Sequence, residues 1–233
     1  MWYAHEQQER KPNTSPMNTD WPVRDRDSKA TIAYLESRNL DSKLALWNGW
    51  YQSCTAGDYC LRVVIPAVTH VIGHVYWQAR DITGRSWLRY QSPNGPRHEA
   101  FVAVLPKHKP VGVVIVEGPM DALAAAGAGY LGLAMMGMVP SLATIAHVSL
   151  FLAIKEYDTL PVLVIMDRGE AANSTRIATR LASDGITAKV AELPAKDLAA
   201  CHPKTRQQFL KRELSSLSKR KSSPKPRSKG QRV

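Results

Sequence analysis

At 233 residues, with 44% hydrophobic and 22% charged residues, the chain has an ordinary globular composition and enough length for one sizeable core, or a core and a smaller lobe. A formal charge of +11 points to a polyanionic partner, for which nucleic acid and an anionic membrane are the usual candidates. No apolar run reaches the roughly 18 residues that span a bilayer, and the N-terminus lacks the apolar stretch of a signal peptide, so the expectation is a soluble cytoplasmic protein (host cytoplasm if viral) with no membrane partner.

In chain order, residues 1–27 are polar, charged and interrupted by Pro12, Pro16 and Pro22, which reads as a flexible arm. "SKATIAYLESRNL" opens on a possible N-cap, Ser28, and spaces Ile32, Leu35 and Leu40 as a short helix would; "SKLALWNGW" is a second helical piece. Strand material follows in "YCLRVVIPAV", "VIGHVYWQARDI" and "RSWLRYQS", with "PNG" as the turn beyond them, which predicts a small antiparallel lobe. Arg62, Arg80 and Arg89 sit on these three runs, with Tyr90 beside the last. From their pattern alone the arginines read equally well as a solvated face.

The second half has another rhythm. Near-continuous apolar runs, "VGVVIVE" (111–117), "LGLAMM" and "PVLVIMD" (161–167), alternate with helical segments, one opened by Pro140. This is the pattern of a parallel sheet covered on both faces, hence an α/β fold. "PKTRQQFLKRELSSLS" predicts a closing helix that packs on its own domain through Phe209, Leu210, Leu214 and Leu217. The last fifteen residues hold seven Lys and Arg and no acid, leaving only +4 on the rest of the chain, and cannot fold alone. Lys219, Arg220, Lys221, Lys225 and Arg227 are therefore candidates for sequence-independent contacts with nucleic-acid phosphates. Cys54, Cys60 and Cys201 do not follow structural zinc spacings, so no zinc is expected and they read as reduced thiols.

Glu117 and Asp167 each close a predicted strand, and Asp121 falls in the first turn of the helix that Pro119 opens. In open α/β sheets ligands bind beyond the carboxyl ends of strands. Three carboxylates gathered there raise one another's pKa unless a cation is present, and a hard divalent ion such as Mg2+ suits oxygen ligands. Any one of the three has a plain structural explanation, as a helix-dipole partner or a turn residue; the three together favour a site.

"VVIVEGPMDAL", then "VLVIMDRGEAA", then "ELPAKDLAACH" resembles the TOPRIM domain of DNA primases, in particular the primase half of the helicase-primases of short-tailed phages. Glu117, Gly118 and Asp121 match the family's first motif, Asp167 and Ala171 part of the second, and Pro194, Lys196 and Asp197 the third. Upstream, Arg62 with Pro66, then Arg80, then Arg89 with Tyr90 and Pro93 follow the order of the lobe that precedes TOPRIM, so the likeness covers about residues 28–202. It implies an N-terminal mixed α+β primase lobe (28–108) and a TOPRIM domain (109–202), which the composition sets between a flexible arm (1–27) and a C-terminal helix (203–218) with a disordered basic tail (219–233).

By that resemblance the chain is a DNA primase, a nucleotidyltransferase that makes short RNA primers on a single-stranded DNA template from NTPs with Mg2+ or Mn2+. Glu117 would be the ligand or base nearest the reacting hydroxyl, and Asp121 and Asp167 would hold or orient metal. Arg62, Arg80 and Arg89 would contact template or triphosphate, Tyr90 could stack on a base, Lys196 could reach a phosphate, and Asp197 would fix it or help with metal. Three departures stand out: Gly169 occupies the position of the family's second Asp, no N-terminal zinc ribbon is visible, and no G-x-x-x-x-G-K-[ST] loop follows. A replicative helicase would then act in trans, and a DNA polymerase is a further candidate partner. Two alternatives stay open: a metal-dependent TOPRIM nuclease, and a catalytically weak nucleic-acid-binding replication factor.

Overall fold

The computed structural model describes residues 21–54, 59–68, 75–93, 100–106, 108–136, 140–193 and 195–221. The expectations for residues 1–20, Pro194, Lys225 and Arg227 lie outside these residues, as do those for the side chains of Lys219, Arg220 and Lys221.

Helices α1 (Lys29–Ser37) and α2 (Ser42–Trp47) come first, and Asp41 caps α2 by accepting the Leu44 N–H at 3.0 Å. Strands β1 (Tyr51–Gln52), β2 (Arg62–Val68), β3 (Val75–Asp81) and β4 (Tyr90–Gln91) form an antiparallel sheet in that spatial order. Of the expected strand "RSWLRYQS" only Tyr90–Gln91 pairs with β3. The part of the expected arm that is described is fastened to this sheet. The Tyr51 hydroxyl donates to the Pro22 carbonyl at 2.8 Å, the Cys54 N–H donates to Val23 at 2.9 Å, and Arg24 bridges to Ser53.

The second sheet has the order β5-β7-β6-β8-β9, built from β5 (Phe101–Ala103), β6 (Val113–Val116), β7 (Leu131–Ala134), β8 (Val162–Ile165) and β9 (Ala188–Val190). β6, β7, β8 and β9 run parallel and β5 closes one edge antiparallel to β7. β5 comes from the stretch expected in the N-terminal lobe, so that stretch contributes to both sheets. Helices α3 (Pro119–Gly127), α4 (Leu142–Ile154) and α5 (Ala171–Ser183) connect the strands, and α6 (Pro203–Lys221) follows, running past the expected helix end at 218 into the first residues of the expected disordered tail.

Alternation along the buried strands sorts their side chains to two faces. Val114, Val116, Leu163 and Ile165 join a core shared with α1, α2, α3 and α6; Val113, Ile115, Val162 and Val164 face α4 and α5. Trp50, Val63, Ile65 and Tyr76 of the antiparallel lobe belong to that first core, so lobe and sheet are packed as one body. Two polar clamps reinforce the join. Asn48 donates to the Val104 carbonyl at 3.1 Å while accepting the Val104 N–H at 3.1 Å, and Gln78 donates to the Met136 carbonyl at 3.2 Å. Phe209, Leu210 and Leu214 of α6 are buried in the same core and Leu217 packs against it, which gives α6 the self-packing role read from its spacing. Among the described residues no helix is long and apolar enough to cross a membrane.

Candidate active site

β6 and β8 lie side by side with Val116 opposite Ile165, so the chain leaves both strands at one sheet edge. Glu117 follows β6 directly, and Asp167 follows β8 after the buried Met166. Gly118 is extended (φ −111°, ψ 154°) and hands the chain to α3 with Pro119 at its start, which puts Asp121 in the first turn. Gly132 lets α3 lie this close to the sheet: a Cβ there would stand 2.0 Å from the Ala122 carbonyl oxygen. The Ala199 N–H donates to Asp121 Oδ1 at 2.7 Å, drawing the segment that carries Lys196 and Asp197 across the helix start.

These carboxyls hold their protons more tightly than usual. Burial, and then the charge of Asp197 and Asp167, pushes Asp121 up to about 7. Burial together with Asp167 and Glu170 lifts Glu117 to about 6. Asp167 is also raised, by partial loss of water and then by Asp197. An arrangement of acids that each disfavour ionisation is suited to a cation. Among the described residues no three His, Cys, Asp or Glu side chains are gathered at ligand spacing. The expected three-carboxylate set of Glu117, Asp121 and Asp167 is therefore not assembled at ligand spacing; one or two of these carboxyls would hold a cation whose shell water and substrate oxygens complete. The all-oxygen donor set therefore fits Mg2+ or Mn2+.

A cavity of about 760 Å3 opens over this edge, and both acidic and basic side chains line it. Its acids are Asp81, Glu117, Asp121, Asp167 and Asp197, and its cations are Arg38, Arg80, Arg89 and Lys196. Arg80 is held between two tyrosines. Its Nε donates to the Tyr34 hydroxyl, its Nη1 donates to the Tyr90 hydroxyl at 2.7 Å, and its guanidinium lies 4.9 Å from the Tyr90 ring centre. Burial pulls the Arg80 pKa down, but Tyr90 and Tyr34 more than offset this and keep it above its ordinary value. Tyr90 thus orients Arg80, and that guanidinium lies over the ring expected to stack on a base.

Arg62 departs from its expected role. It is 4% exposed, does not line the cavity, and turns inward. Its guanidinium donates to the carbonyls of Ala79 (3.2 Å) and Leu88 (3.1 Å) and to Ser86 Oγ (2.8 Å). Its donors hold the loop after β3 in place, and a buried guanidinium occupied in this way does not contact template or triphosphate.

Among the lining residues that escaped the sequence reading, two belong to the first helix. Tyr34 and Arg38 come from α1 and its C-cap, and Arg38 Nη2 lies 3.9 Å from Asp197 Oδ2. Their spacing of four residues on a helix was the available signal. At the departure in the second motif, Gly169 adopts φ +99° and the Glu170 N–H donates to the Asp167 carbonyl at 3.0 Å. This left-handed turn, which glycine favours, keeps the Glu170 charge close enough to raise both Glu117 and Asp167.

No family model and no curated protein matches the chain. Solved structures do. The primase fragment of the bacteriophage T7 primase-helicase protein superposes with a TM-score of 0.51 at 18% identity, over 77% of this chain and 72% of that one. The chain has the fold of a phage primase fragment. A second T7 structure agrees, that of the lagging-strand DNA polymerase interacting with primase domains of two gp4 subunits bound to an RNA/DNA hybrid and dTTP. Its TM-score is 0.50 at 17% identity, over 77% of this chain and 89% of that one. At this identity the likeness establishes the primase fold, an α/β parallel sheet preceded by a mixed lobe, and leaves the chemistry to the residues.

Proposed function

We propose that this chain is a primase that makes short RNA primers on single-stranded DNA from NTPs, dependent on Mg2+ or Mn2+ and working beside a separate helicase. One observation carries the reading: a single cavity is lined both by the carboxyls of Glu117, Asp121 and Asp167 at the sheet edge and by Arg80, Arg89 and Lys196, as suits a polyanionic nucleotide held with a cation beside carboxylates. The T7 primase domains of the same fold were solved in a complex with an RNA/DNA hybrid and dTTP, which supports the same substrate class here.

In primer synthesis a 3′-hydroxyl attacks the α-phosphorus of an incoming NTP; the new P–O bond forms as the bond to pyrophosphate breaks, and the hydroxyl proton is lost. Glu117, with its pKa lifted to about 6, is poised to take that proton near neutral pH. Asp121 and Asp167 would hold the cation, which supplies charge neutralisation on the phosphate oxygens. Arg80, prealigned by Tyr34 and Tyr90, would grip the triphosphate, with Lys196 and Arg89 beside it.

Calorimetric titration with a non-hydrolysable NTP and Mg2+ tests this arrangement. Loss of NTP affinity in Arg80→Ala, and loss of its Mg2+ dependence in Asp121→Asn, are the expected results; unchanged NTP binding in both would remove the reading. Gly169 favours a second reading, since the turn that replaces the family's acid could leave a binding factor with little turnover. Mg2+-indifferent binding of single strands without products would select that factor, and degradation of nucleic acid without NTPs would select a nuclease.

A further inference from the structure

We propose that the loop between β3 and β4 is a rigid stacking platform on which Trp87 receives an unpaired base of single-stranded nucleic acid as the strand enters the cavity. The inference rests on the primase reading for the role of the cavity, and on its own observations for the platform.

Trp87 is 90% exposed and its neighbour Leu88 is 36% exposed. A large aromatic ring left in water is the kind of group that anchors partners. Two features separate this ring from a casually exposed one. First, the loop is fixed by buried polar groups. Asp81 Oδ1 accepts both the Thr83 N–H (3.2 Å) and the Thr83 hydroxyl (2.7 Å), and the Asp81 N–H donates to the Arg89 carbonyl at 2.9 Å. Arg62 donates to Ser86 Oγ and the Leu88 carbonyl from below. The residues on either side of Trp87 are therefore pinned by the side chain of Arg62, a residue only 4% exposed, so the backbone that carries the ring has little freedom left to lose on binding.

Second, the loop borders the candidate site. Gly84, Ser86 and Arg89 line the cavity that also holds Glu117 and Asp167. Arg85 and Arg89, two residues before and after Trp87 in the chain, are both exposed. An exposed ring on a loop that also carries two exposed cations suits a strand that presents base faces and phosphates in alternation. Duplexes hide their base faces, so the partner chemistry is an unpaired strand. The inward turn of Arg62 then has a function: it supports the platform and leaves phosphate contacts to Arg85 and Arg89.

The test uses the full chain titrated into labelled oligodeoxythymidylate at fixed salt. Trp87→Ala should raise Kd about tenfold, Trp87→Phe should stay within about threefold of wild type, and the salt slope of Trp87→Ala should be unchanged because stacking releases no counterions. Oligonucleotide binding should also shield wild-type tryptophan fluorescence from acrylamide, and Trp87→Phe should lack the shielded fraction; this readout does not depend on Trp87→Ala folding. Binding by Trp87→Ala within twofold of wild type, or no shielding, overturns the platform. Those results alongside wild-type primer synthesis sink the platform alone. Trp87-dependent binding without primer synthesis sinks the primase reading alone.

Discussion

Replacing Asp121 by Asn should stabilise the metal-free protein at pH 8 while removing its cation dependence. Asp121 lies in the first turn of α3 with Oδ1 accepting the Ala199 N–H, and an Asn amide keeps that acceptor and the side-chain shape but not the charge. Moving the carboxyl from its ordinary 3.8 to about 7 makes its ionisation in the folded state unfavourable by on the order of 2–4 kcal/mol, once partial solvation is allowed for. The folded value is raised, so this contribution to stability is fully present below the unfolded pKa and is lost as pH rises through about 7. In urea unfolding with chelator, the variant should exceed wild type by about 2–4 kcal/mol at pH 8, the gap narrowing as pH falls towards 5. Excess Mg2+ at pH 8 should stabilise wild type and leave the variant unmoved. A variant less stable than wild type by the same amount at every pH would refute the reasoning, because Asp121 would then be an ordinary structural hydrogen-bond acceptor.

Arg62→Ala should cost about 3 kcal/mol in the same unfolding assay, since it strips the donor from two carbonyls and a hydroxyl around the β3–β4 loop; a change under about 1 kcal/mol would put Arg62 back among surface cations. Gly132→Ala should destabilise by about 1–3 kcal/mol and weaken Mg2+ binding, because its Cβ meets the α3 backbone at Ala122 rather than a side chain that can move. An unperturbed variant would show that α3 does not depend on that close approach. Deleting residues 222–233, which follow α6 and carry four basic side chains, should lower the slope of log affinity against log salt on single strands by up to about 3; an unchanged slope would leave the tail as a solubilising segment.

The sheet edge was the most legible part of the sequence. "VGVVIVE" and "PVLVIMD" are buried on both faces, so their apolar runs are nearly unbroken, and the acids that end them land together because β6 and β8 are neighbours. Arg80, Arg89, Lys196 and Asp197 line the cavity as the motif order implied. β1 and β5 were not legible: each is two or three residues long and exists through pairing with a distant segment. Arg62 and Arg80 begin and nearly end two paired strands and look alike in the chain, yet one faces the loop and the other the cavity. That choice is made by Ser86, Leu88 and the two tyrosines, which local pattern does not reveal. Trp87 was hidden inside an expected strand, "RSWLRYQS", whose first half is instead pinned as a loop by Asp81 and Arg62.

The most direct test of the central claim is incorporation of labelled NTPs by the purified chain on single-stranded DNA with Mg2+ across a wide choice of template sequences. Short RNA products from wild type, abolished by chelator and lost by at least about a hundredfold in Glu117→Gln, are the predicted result. No products from wild type on any template, or products that persist in Glu117→Gln, would contradict it.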